Sequence, residues 1–294
     1  MATKAQMYAQ MADHAATQIT GSWQEWTAFL KTAAQLYKYP YNEQLMIYAQ
    51  RPDATACAGY DTWNDNVGRY VKRGSKGIAI LDTDADRPHL KYVFDISDTE
   101  SRDSSRHFHL WELHPENEAA VSAMLEKVYE VPGKSGLSDQ LEHVAAQLAD
   151  EYWHDHQHEI LRIVDDSFLE EYDEFNIGAQ FRNAATVSIS YALMSRCGLE
   201  PEQYFDHEDF MAIFDFNTPT TVAALGTAVS ESSQQVLRQI GVTILNAERE
   251  KIAERSQNNE QHTDIHEERG LSDSQPEALG NPGSEARKVR ADAE

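Results

Sequence analysis

Residues 37–82 read YKYPYNEQLMIYAQRPDATACAGYDTWNDNVGRYVKRGSKGIAILD, and the chain changes its structural habit inside this stretch. Tyr41–Gln50 carries Leu45, Met46 and Tyr48 at helical spacing. Arg51-Pro52-Asp53 closes that helix, because the residue before a proline is pushed out of the α region. Beyond it, Gly59, Gly68, Gly74 and Gly77 punctuate short runs of β-formers. Arg69–Lys72 and Ile78–Leu81 are expected strands, with Arg73-Gly74-Ser75-Lys76-Gly77 as the turn between them.

Outward from this stretch the two flanks differ. Upstream, residues 3–37 are expected to be helical, with Trp23, Trp26, Phe29, Leu30 and Leu36 at helical spacing and Ser22 as a cap. Downstream, Lys91–Ile96 and His107–Leu113 are expected strands, and Asp82–Arg87 and Ser97–Arg106 are polar connections. From Pro115 the apolar period becomes helical over Glu116–Tyr129, Ser138–Val164, Phe168–Arg196 and Thr218–Arg255. Gly198 is placed to cap the third of these, and Pro201 opens a short segment after it. Ser256–Glu294 is polar, with almost no aliphatic side chains, and cannot bury enough apolar surface to offset its ordering entropy. The expectation is an α+β chain: N-terminal helices with a small, mainly antiparallel sheet (1–114), a helical domain (115–255) and a disordered tail or linker (256–294). A length of 294 residues suits such a plan, at about 150 residues per domain.

Charge narrows the functions. The chain holds 25 basic and 49 acidic residues, a net charge of −24, so on average it repels polyanions. Any nucleic-acid role needs a local basic patch that runs against this field. Residues 69–81 supply one: Arg69, Lys72, Arg73 and Lys76 occur with no acid among them. Tyr37, Tyr39, Tyr41, Tyr60, Trp63 and Tyr70 lie close by in sequence. Cations neutralise phosphates and aromatic rings stack on bases, a mixture suited to single strands. The plainer alternative is a solvated hairpin whose aromatic residues belong to the core.

The same stretch resembles the N-terminal domain of the ArdC family of antirestriction proteins of conjugative plasmids and related mobile elements. The resemblance rests on an ordered series: Asn42 with Leu45, then Trp63, then Gly68-Arg69-Tyr70-Val71-Lys72-Arg73-Gly74-Ser75-Lys76-Gly77-Ile78. It covers roughly residues 20–114. The segments FLEEYDEFN, SYALMSRCGLEPEQYF and FNTPTTVAALGTAVSESSQQVLRQI resemble the helical part that follows an ArdC-like start in large proteins of Firmicutes conjugative elements. The resemblance implies single-stranded DNA binding in conjugation or antirestriction, with Tyr41, Asn42, Arg69, Tyr70, Lys72, Arg73 and Lys76 as the nucleic-acid-binding residues. Restriction or conjugation proteins are the implied protein partners.

No catalysis is expected in this chain, and no metal or cofactor. ArdC proteins carry a His-Glu-x-x-His helix, which sets two metal-binding histidines on one face beside a basic glutamate. Here His158-Glu159 runs into Ile160-Leu161-Arg162, and His207-Glu208 into Asp209-Phe210-Met211. His154 and His158, with Asp150 nearby, share a helical face but want a third firm ligand. Gly133-Lys134-Ser135 ends like a P-loop, but Val128 stands where its first glycine belongs. Cys57 and Cys197 lie too far apart for a disulfide framework and have no catalytic context. No apolar stretch approaches the 18 residues of a membrane span and no leader is evident, so a cytoplasmic protein is expected. One further alternative stays open. Asp139–Glu174 holds twelve acids and one base, Arg162, and such a surface can mimic DNA and bind a basic partner such as a restriction enzyme.

Overall fold

Capping and burial explain where the leading helices begin and end. A computed structural model describes residues 3–82, 89–101, 110–132 and 136–270. Helix α1 spans Lys4–Ile19 and starts in a capping box: Gln6 N donates to Thr3 Oγ1 and Thr3 N to Gln6 Oε1. Helix α2 (Trp23–Gln35) starts where Glu25 N donates to Ser22 Oγ at 3.2 Å, as the sequence predicts. Helix α3 (Tyr41–Gln50) begins after Pro40 and stops at Arg51.

The β region forms two small antiparallel sheets. Strands β1 (Cys57–Gly59), β3 (Ile78–Asp82) and β4 (His89–Asp95) make a three-stranded sheet in the order β1-β4-β3. Strands β2 (Arg69–Val71) and β5 (Thr99–Ser101) make a separate two-stranded ribbon. Arg73–Gly77 therefore joins one sheet to the other and closes no hairpin. The segment Ser97–Arg106, expected as a connection, contributes β5 through Thr99–Ser101. Leu110–Leu113 are not a strand, and residues 107–109 of the strand expected at His107–Leu113 lie outside the described residues. A π-helical turn, Thr62–Val67, leads into β2 and ends at Gly68, whose φ of 75° suits glycine.

The helical half follows the apolar periods closely. Helices α4 (Pro115–Tyr129), α5 (Leu137–Ile160) and α6 (Glu174–Arg196) are joined by short links and 3-10 turns, Phe168–Glu171 among them. Helix α6 ends in a Schellman arrangement: Gly198 has φ of 76°, Leu199 N donates to Met194 O, and Gly198 N donates to Ser195 O. Helix α7 spans Pro219–Gly270, so helix continues past Arg255 into the segment expected to be a tail. Residues 271–294 of that segment, and the P-loop-like Gly133-Lys134-Ser135, lie outside the described residues.

Two hydrophobic clusters hold the fold. The smaller one packs Ile78, Ile80 and Val93 of the three-stranded sheet onto Leu36, Met46, Ile47 and Ala54. The larger one runs from α1 and α2 through α4, α5 and α6 into α7, and buries Trp26, Phe29, Phe181 and Leu237 among others. Trp26 Nε1 donates to Ser188 Oγ at 2.9 Å inside it, tying α2 to α6. Met1–Glu248 is accordingly one compact unit, and the boundary expected at 114/115 falls within a shared core. Arg249–Glu294 is the second unit, and it contains the rest of α7. Among the described residues, no helix is long and apolar enough to cross a membrane.

Candidate nucleic-acid interface

The residues singled out in the sequence divide into three groups. Arg69, Tyr70 and Lys72 hold the ribbon together. The Arg69 guanidinium donates to Thr99 Oγ1 at 2.7 Å, to Ser101 Oγ at 2.7 Å and to Thr99 O at 3.1 Å. Its geometry thereby fixes β5 against β2 and leaves it little capacity for a phosphate. Tyr70 is 39% exposed, and its hydroxyl donates to Glu100 Oε2 at 2.5 Å. Lys72 donates to Ser97 O at 3.1 Å and stands 3.9 Å from Glu100 Oε1.

Arg73 and Lys76 form the second group. Both are exposed, and neither makes an ion pair or side-chain hydrogen bond among the described residues. Gly74, with φ of 93°, turns the chain between them. Gly77 then brings the turn down onto the sheet: a Cβ there would fall 3.1 Å from Tyr92 Cβ and 3.3 Å from Phe94 Cζ. Tyr92 is 41% exposed, and Lys4 Nζ donates to its hydroxyl at 2.8 Å. That bond holds the Lys4 ammonium above the usual lysine pKa. Lys4 thus stands at the Tyr92 ring, and Gly77 brings the turn that carries Arg73 and Lys76 against the same residue.

Tyr41 and Asn42 make up the third group, and the structure corrects the expectation for Tyr41. It is 2% exposed, packed edge-on against Phe29 with ring centroids 5.9 Å apart. A Cβ at Gly226 of α7 would fall 2.2 Å from its ring, so the glycine exists to admit it. Its hydroxyl is buried without a hydrogen-bond partner, and burial pushes its pKa up. A ring in this position has no face to offer a base. Asn42 is exposed, but it borders a different groove, alongside Asp13, Glu43 and Pro219.

Trp63 is buried, as the sequence suggests for so large a side chain, and its Nε1 donates to Phe94 O at 2.8 Å. Asp95 anchors the same corner. Its carboxylate accepts from Thr55 N, Ala56 N, Ser97 N and Ser97 Oγ at 2.7–3.0 Å. Burial alone raises its pKa, but these hydrogen bonds outweigh it and hold the carboxyl below the ordinary aspartate value. Cys57 and Cys197 are free thiols that burial pushes up to about 12, which leaves both protonated and poor nucleophiles near neutral pH.

Sequence reasoning missed Tyr92 and Lys4. For Tyr92 a signal existed, since alternation along Lys91–Ile96 sets Tyr92 and Phe94 on the face opposite Val93. For Lys4 there was none, because it reaches Tyr92 from 88 residues away. His154 and His158 are exposed on α5, and among the described residues no three His, Cys, Asp or Glu side chains are placed to hold a metal ion.

No family model, no curated protein and no solved structure matches this chain. The likeness to the ArdC N-terminal domain therefore rests on the residues of the 37–82 stretch and their order.

Proposed function

We propose that this chain is a non-catalytic, cytoplasmic module that binds single-stranded DNA, in the setting of conjugation or antirestriction that its ArdC-like series implies. The observation that supports the reading is the turn Lys72–Gly77: it carries two exposed cations, Arg73 and Lys76, that make no ion pair among the described residues, and at Gly77 it packs against Tyr92, which is 41% exposed. Cations spaced along a backbone, beside rings that stack without regard to sequence, suit unpaired strands. Lys4 places a cation at that ring, its Nζ 5.3 Å from the centroid. The test is fluorescence anisotropy of the full chain with mixed-sequence single strands and the matching duplex at moderate salt. The single strand should bind the more tightly, with little preference among bases. Equal or tighter duplex binding counts against the reading, since paired bases cannot present their faces.

A second reading has its own observation. An open groove of about 600 Å³ gathers Glu142, Glu208 and Asp209 beside the buried, unpartnered hydroxyl of Ser190. Burial first, and then the neighbouring charge of Asp139 and Asp209, raises the Glu142 pKa, so a cation entering this groove would relieve crowding of like charges. That chemistry suits a basic protein partner. If neither DNA form binds, while a basic protein does in a manner lost in Glu142→Gln/Asp209→Asn, this reading replaces the first.

A further inference from the structure

Arg196, the last residue of α6, is 7% exposed and has no carboxylate within salt-bridge distance among the described residues. Its guanidinium carbon lies 3.5 Å from the centroid of the Trp111 ring. One terminal nitrogen, Nη2, donates to Trp111 O at 2.8 Å. Nε is buried with no partner at all, which leaves Nη1 as the donor that can serve something outside the protein. Burial lowers the Arg196 pKa, and the nearest acid it senses, Glu112, faces His114 and lies mostly in solvent. A buried cation without a counterion is costly, and proteins keep one where an anion completes it.

That anion has a place to sit. Arg196 lines a cavity of about 260 Å³ whose walls include Tyr37, Tyr39, Trp63 and Trp111. Lys38 stands at its rim, its ammonium 5.8 Å from the Tyr37 ring centroid. In a chain with 49 acids, no Asp or Glu lines this cavity among the described residues. Two larger grooves carry Asp13 and Glu43, or Glu142, Glu208 and Asp209. The volume is near the lower end of small-molecule sites, about 300 Å³. Aromatic walls select a flat ring, and two cations with no acid select a dianion over a monoanion.

We propose that this cavity binds one nucleoside monophosphate unit, its phosphate on Arg196 and Lys38 and its base among the aromatic walls. The choice of a nucleotide among aromatic anions rests on the single-strand reading above. The unit is either free or the 5′-phosphorylated end of a strand, and both present the same phosphate.

The test is calorimetry on the full chain with thymidine 5′-monophosphate, a 5′-phosphorylated oligothymidine and the same oligomer ending in a hydroxyl. The monophosphate should bind with one site per chain. Arg196→Met should weaken it at least tenfold. Leu110→Trp, at an exposed wall position, should do the same by filling the cavity, and it keeps the test valid if the Arg196 variant fails to fold. Competition by the phosphorylated strand, with the hydroxyl-ended strand at least tenfold weaker at this site, assigns the occupant to a strand end. Binding of the monophosphate without such competition assigns it to the free nucleotide. No binding of monophosphate at millimolar concentration, or binding unchanged by Leu110→Trp, overturns the proposal. Should oligomers still bind through Arg73 and Lys76 in that case, the single-strand reading stands while the cavity fails.

Discussion

The helix that opens the stretch 37–82 and the strand that pairs with its far end treat their tyrosines in opposite ways. At the helical end, Tyr41 is driven between Phe29 and Gly226 and belongs to the core. On β4, which pairs with β3, Tyr92 stays 41% exposed beside Gly77, with the Lys4 ammonium at its ring. The sequence pattern singles out Tyr41 and passes over Tyr92, yet only the second is exposed. The difference lies in what covers them. Helix α3 meets α2 and α7 from other parts of the chain, whereas Tyr92 on β4 meets the long side chain of Lys4 and the turn at Gly77 and stays part exposed.

The largest expected effect comes from breaking the buried end. Tyr41→Ala should cost about 3–5 kcal/mol of stability, as a large aromatic leaves a cavity, and should be seen in chemical denaturation. A variant that keeps its stability but loses DNA affinity would return Tyr41 to the binding surface. Arg69→Ala sharpens the comparison within the cationic run. It removes the tie between β2 and β5 and should cost about 1–3 kcal/mol, with the salt dependence of binding unchanged. Tyr92→Ala should leave the melting curve nearly in place and weaken single-strand binding by about 1–3 kcal/mol, the range for one stacked base. The smallest effect is electrostatic. Arg73→Ala/Lys76→Ala should flatten the slope of log K against log salt by about 1.4, from about 0.7 per phosphate on single strands. A reduction near twice that in the variant that also carries Arg69→Ala/Lys72→Ala would mean that Arg69 and Lys72 reach phosphates too.

The corner that joins the two ends has a pH signature. Asp95 has a folded pKa below its unfolded value, so its contribution is fully present above the unfolded pKa of about 3.9. It is lost as pH falls through the lower, folded pKa. Stability measured between pH 5 and pH 2 should therefore drop more steeply in the parent chain than in Asp95→Asn. Parallel curves would show that the four hydrogen bonds do not favour the charged form.

What the sequence made legible follows from the range of the physics. Helix limits set by local chemistry were readable: the Ser22 cap, the stop at Arg51-Pro52, the glycine after α6 at Gly198. Three of the strands were legible from their β-formers and bounding glycines. Strand β5 was not, because Thr99–Ser101 is polar and earns its place by pairing with β2 from 28 residues away or more. The burial of Tyr41 was hidden for a similar reason, since it depends on Gly226 far along the chain. Arg196 gave no signal at all: a lone arginine at a helix end reads as a favourable charge on the dipole. Its burial becomes visible only when Trp111 is folded over it.

The separation of the sheets gives the basic turn two unequal supports. At Gly77 it is seated on a three-stranded sheet backed by Ile78, Ile80 and Val93. At Val71 it hangs from a ribbon of two three-residue strands, paired only from Arg69–Ser101 to Val71–Thr99. A pair that short is marginal by itself and opens more readily than a packed sheet. Backbone amides of 69–71 and 99–101 should exchange with solvent well before those of Ile78–Asp82. The turn then behaves as a latch fixed at one side and free to swing at the other. A single strand bound as proposed would enter sideways, with no need to be threaded from an end.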